Sequence, residues 1–144
     1  MEAHSRALYD IEPSGEFKEG WEIASQLFGR MKARTDAMGV PLAVFVIPDS
    51  PQLNESDWRD WVGSQRVTRG RSALTAPNDQ LALIAERWGL PLLDLLPALT
   101  EASGGNPRRF YFRTDQHWNR DAHALAAREI EQFLVERGLV PPPR

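Results

Sequence analysis

The sequence predicts a three-layer α/β fold, with a parallel sheet covered by helices on both faces. Three observations carry this reading. Segments of helical and strand character alternate as helix, strand, helix, strand, loop, helix. The strand segments, LAVFVI at residues 42–47 and LPLLDL at 90–95, are nearly continuous apolar runs, as expected of strands buried on both faces of a parallel sheet. The chain's 144 residues, 42% hydrophobic and 26% charged, are ordinary for one soluble globular domain and short for two.

Residues 1–14 are polar and irregular. Phe17, Trp21, Ala24, Phe28, Met31 and Met38 then recur at spacings that suit one helix face, and Gly39 supplies the stop. The strand at 42–47 follows, closed by Pro48. Residues 49–74 carry Pro51, Gly63, Gly70 and scattered charges, with Trp58 and Trp61 on a short helix at most, and read as an irregular excursion. Thr75 can cap a second helix with Pro77 in its first turn, an apolar stripe of Leu81, Ile84, Ala85 and Trp88, and Gly89 at its end. After the strand at 90–95 come a helical turn near residues 97–102, a GGNP break and a third short strand at 110–112. Asn119 can cap the last helix, whose stripe of Ala122, Leu125, Ala126, Ile130, Phe133 and Leu134 runs to Gly138. Residues 139–144 form a proline-rich tail.

Composition removes several function classes. No apolar run is long enough to cross a bilayer, so direct membrane insertion is not expected. The start, MEAHSRALYD, lacks the basic and apolar regions of a secretory signal. The absence of cysteine excludes disulfides, thiolate metal sites and cysteine nucleophiles. A formal charge of −3 argues against nucleic acid as a partner. In RVTRGR, Arg66, Arg69 and Arg71 could meet an anion, although a solvated loop is the plainer reading.

The chemistry concentrates in TDQHWNRDAH, residues 114–123. Asp115 and His117 stand two apart, just before the helix that Asn119 caps. A short Asp-x-His turn can let the carboxylate hold the imidazole by its Nδ1–H, leaving Nε2 to take a proton from a serine. Spacing alone leaves a plainer alternative open, in which Asp115 satisfies loop amides and His117 is partly buried beside Trp118. A metal site from Asp115, His117, Asp121 and His123 is disfavoured, because the histidines are six apart and the cap turns them in different directions. No metal or cofactor is expected, and His123 reads as a supporting residue.

From Gly39 onward the chain resembles the C-terminal part of an SGNH (GDSL-type) hydrolase. The resemblance rests on VFVIP, PNDQLALIAERWGLP, LLDLLPAL and FYFRTDQHWNRDAHALAA. The last block resembles the D-x-H-W-N-x-x-G-H pattern of the subgroup that includes alginate O-acetyltransferase-like proteins. It departs from that pattern at Ala122, which replaces glycine, and from the wider superfamily's D-x-x-H spacing. The resemblance implies a flavodoxin-like parallel sheet, with His117 as general base, Asp115 as its orienting acid, and Trp118 and Asn119 supporting the turn. It also implies an acyl ester substrate, carbohydrate-linked in this subgroup, and a location in the bacterial cell envelope or cytoplasm.

The superfamily's G-D-S block is absent from the sequence. The nearest imitation, IPDSP, has Pro48 in place of the glycine, and Pro51 biases Ser50 away from the helical conformation that a strand-to-helix elbow requires. By the resemblance, the strands are the fourth and fifth of the order 2-1-3-4-5, and the chain is the C-terminal half of the fold with its serine upstream of Met1. The edge at residues 42–47 would then be covered by the missing N-terminal half. Two alternatives are a non-catalytic interaction module, pairing through that edge as a homodimer, and a metal-binding hydrolase-like domain.

Overall fold

The two apolar runs become short strands, β1 (Val44–Val46) and β2 (Leu92–Asp94), which form a two-stranded sheet. Val44 N–H donates to Pro91 O at 2.8 Å, and Leu95 N–H donates to Val46 O at 3.1 Å. Donation from one strand and then from the other, two residues further along β1 and four further along its partner, is the slanted pattern of a parallel pair. The connection from β1 to β2 passes through helix α2 (Ala76–Trp88), so the order is that of an α/β fold.

The computed structural model describes residues 8–13, 15–54, 56, 58, 59, 73–112 and 117–141. The chain divides into two compact units: Met1–Val44 with Asp60–Leu92, and Phe45–Arg59 with Leu93–Arg144. Trp61 and the RVTRGR segment lie outside the described residues.

In the first unit, helix α1 (Gly15–Ala37) ends at Gly39, whose φ of 68° gives the left-handed turn that glycine permits. Phe17, Trp21, Ala24 and Phe28 are half-buried as the spacing predicts. Met31 and Met38 are not: they are 49% and 62% exposed. The helix is turned towards Ser25, which is 3% exposed and accepts from the Trp88 indole N–H at 3.1 Å. Burial thus follows the predicted stripe as far as Phe28, adds Ser25 as a polar anchor to the facing helix, and leaves the two methionines out.

Helix α2 begins at Thr75 as expected, but the Thr75 hydroxyl donates to Asp79 Oδ2 at 3.0 Å rather than capping a backbone amide. Ile84 and Ala85 are buried, Leu81 and Trp88 are half-buried, and Gly89 takes φ 61° at the end.

The second unit holds the expected helical turn as helix α3 (Leu96–Ser103), whose first amide donates to Asp94 Oδ1 at 2.9 Å. Leu53, Leu95 and Leu99 are the largest fully buried side chains among the described residues, and α3 supplies Leu99. Helix α4 (Arg120–Glu136) buries Ala122, Ala126 and Phe133 and half-buries Leu125, Ile130 and Leu134, the stripe read from the sequence. Phe133 meets Phe45 of β1 edge to face at 6.1 Å between ring centres. Ser50 opens a turn of 3-10 helix (Ser50–Leu53), so Pro51 does not exclude it from a strand-to-helix turn. Asp49 closes the start of that turn, its N–H donating to Gln52 Oε1 at 2.7 Å. Trp58 is helical and 8% exposed, with its N–H on Asn54 O at 2.9 Å.

Candidate functional site

Phe110, Tyr111 and Phe112 lie antiparallel to His117, Trp118 and Asn119, with Tyr111 and Trp118 as the bridge pair. Phe112 N–H donates to His117 O at 2.9 Å, and Asn119 N–H donates to Phe110 O at 2.8 Å. The third strand expected at 110–112 is therefore a single antiparallel bridge, not part of the parallel sheet. Its partner is the stretch that carries His117. Asp115 lies outside the described residues.

The Asn119 side chain holds two pieces of backbone together. Its Oδ1 accepts from Asp121 N–H at 2.9 Å and Ala122 N–H at 3.2 Å, capping α4 as the sequence predicts. Its side-chain amide also donates to Arg109 O at 2.8 Å, a link that no sequence signal announced. Asp121, in the first turn of α4, places negative charge at the helix's positive end. Ala122, where the related pattern has glycine, is 0% exposed, so the methyl group is accommodated.

His117 is exposed, unlike the partly buried residue of the plainer reading. Its backbone is fixed by the bridge on one side and the α4 cap on the other. Trp118 turns inward and meets the exposed His123 ring edge to face at 5.6 Å. Trp118 and Asn119 thus stand on the turn next to His117, and His123 meets Trp118 from within α4.

Sequence reasoning missed Tyr111. This residue is 5% exposed, and its hydroxyl donates to Pro48 O, just beyond the carboxyl end of β1. Burial is the main cause raising its phenol from 10.0 to about 12; the Trp118 indole opposes the rise and the nearby Asp49 charge adds to it. The Trp118 indole N–H is buried close to this phenol without reaching a hydrogen bond of good geometry. A tyrosine between two phenylalanines gives no sign in sequence that its hydroxyl reaches a carbonyl 63 positions away.

His117 therefore sits on a braced turn tied to the carboxyl end of a parallel strand, the end at which open α/β sheets place ligands. Its exposed imidazole is accessible for proton transfer. Two cavities of about 320 and 360 Å³ lie on the first unit, share Trp21 in their linings and contain no residue of this turn. Among the described residues, no group of three or more His, Cys, Asp or Glu is placed to hold a metal ion, and no helix is long and apolar enough to cross a membrane.

The α/β order and the match to a family model agree on an SGNH hydrolase-like domain, a family of the acyltransferase or hydrolase type. A family model described as the SGNH hydrolase-like domain of the acetyltransferase AlgX matches residues 11–141. The chain belongs to that family. No curated protein and no solved structure matches it significantly.

Proposed function

We propose that the chain supplies the acid-base pair of a serine esterase or O-acyltransferase, with His117 as general base and Asp115 as its orienting acid. The observation that carries this reading is the exposed His117, held by a bridge and a helix cap on a turn that Tyr111 ties to Pro48, just beyond the carboxyl end of β1. The sheet to which β1 and β2 belong is, in this proposal, a flavodoxin-like one with helices on both faces. Family membership and the parallel pairing support it.

In the proposed reaction a serine Oγ attacks the ester carbonyl as His117 Nε2 takes its proton, with the Asp115 carboxylate stabilising the imidazolium through Nδ1–H. Collapse of the tetrahedral adduct expels the alcohol, which receives the proton from His117. The acyl-serine then passes its acyl group to water or another hydroxyl by the reverse sequence. The substrate proposed is an acetyl ester on a carbohydrate, which rests on the family alone. The serine is proposed to come from outside these 144 residues.

One experiment tests the pair and the source of the serine. With neutral imidazole, nitrogen NMR of the purified chain should place the His117 proton on Nδ1, and Asp115→Asn should shift the tautomer balance towards Nε2–H. A wild-type His117 with the tautomer mixture of free histidine would sink the dyad. On the same samples, hydrolysis of an activated acetate ester should stay at background. Activity lost in both His117→Ala and Ser50→Ala would instead make Ser50 the nucleophile, a second reading that its place at the start of a turn four residues beyond β1 supports.

A further inference from the structure

We infer that Tyr111 is a positioning residue for His117, tying the turn that bears the imidazole to the carboxyl end of β1. The inference rests on the proposed role of His117 and adds a residue to it. Tyr111 acts through both main chain and side chain. Its backbone pairs with Trp118, and its neighbours Phe110 and Phe112 hold the Asn119 amide and the His117 carbonyl. Its hydroxyl, buried on the other side, donates to Pro48 O. One side chain thereby joins the His117 turn to the strand end, and every member of the link lies within the second unit.

The bridge needs such support. It is a single antiparallel pair with a hydrogen bond on either side, and short two-stranded pieces are marginal by themselves in water. The cap at Asn119 fixes the turn to α4, but it does not fix the turn to β1. The Tyr111 hydroxyl does. Replacing it with hydrogen leaves a carbonyl without its donor and the buried Trp118 indole N–H beside a ring edge, so the turn loses its tie while the ring still fills the core.

The test uses the full chain, isotopically labelled, as wild type, Tyr111→Phe and Leu99→Val. Leu99 is fully buried in the same unit and lies outside the turn, so its variant controls for general loss of stability. Tyr111→Phe should speed hydrogen exchange at the Phe112 and Asn119 amides by about 10-fold and erase the His117 tautomer bias, whereas Leu99→Val should lower the melting temperature and leave the bias intact. A Tyr111→Phe chain that melts earlier yet keeps wild-type exchange and tautomer has lost only packing, which overturns the proposal. Loss of the fold in Tyr111→Phe also counts against it, because a positioning tie leaves the rest of the unit folded. If wild-type His117 shows no bias, the dyad fails, and the two amides alone decide whether Tyr111 holds the turn.

Discussion

Tyr111 makes the stability of the chain depend on alkaline pH. Its phenol is raised from 10.0 to about 12, so between those values the folded chain holds a proton that the unfolded chain has released. The stabilisation is therefore fully present below pH 10 and is lost as pH climbs towards about 12. A shift of this size corresponds to roughly 2–3 kcal/mol. The urea midpoint of the wild type should fall over that window, and Tyr111→Phe should remove this part of the fall. Tyrosinate absorbance, taken as wild type minus Tyr111→Phe, should rise with a midpoint near 12; a midpoint near 10 would show that the phenol is not held. The Asn119 cap was legible from sequence because a cap residue before an apolar helical stripe is a local pattern. The D-x-H spacing alone left a plainer reading of His117 open, and its proposed role came from the resemblance. Tyr111 was not legible, because its role depends on a carbonyl 63 residues away.

At the scale of elements, α1 shows where a periodic reading succeeds and where it fails. The helix and its glycine stop follow from local chemistry, as do the stripes of α2 and α4, the Gly89 end of α2 and the Asn119 cap of α4. The face of α1 does not, because Ile23, Leu27, Met31 and Met38 form an apolar row as good as the half-buried one and stay 49–62% exposed. The choice is made by Ser25, which accepts from Trp88, and by Gly29, which lets the Trp88 ring approach. A Cβ at Gly29 would stand 2.6 Å from Trp88 Cζ2 and 2.8 Å from two further ring atoms. Helix propensity alone favours Gly29→Ala by about 1 kcal/mol. The overlap opposes it: moving the ring breaks the bond to Ser25, and overpacking of this kind costs about 1–3 kcal/mol. The clash should win, so Gly29→Ala should lower the melting temperature, and Gly29→Ala with Trp88→Phe should recover part of the loss. A more stable single variant would show that the ring moves freely.

For the whole chain, the question is which exposed apolar surface meets a partner. The parallel pair directs Val44 and Val46 backbone groups towards β2, so alternation sends those of Phe45 the other way, along the outer edge of β1. Ile47, just beyond, is 63% exposed, and an apolar strand end whose outer edge has no partner strand among the described residues is a template for pairing. The α1 row is a second apolar surface, but it offers only side chains, whereas the edge adds backbone hydrogen bonds with a fixed register. We therefore expect the edge at residues 42–47 to govern association with a second copy of the chain. Light scattering over rising concentration should show the isolated chain forming dimers. Ile47→Lys, which places a charge at an already exposed position, should return it to monomer, while Leu27→Lys on α1 should leave the dimer intact. The reverse pattern would assign the interface to α1, and a wild-type chain that stays monomeric throughout would show that the edge of β1 does not pair with a copy of itself.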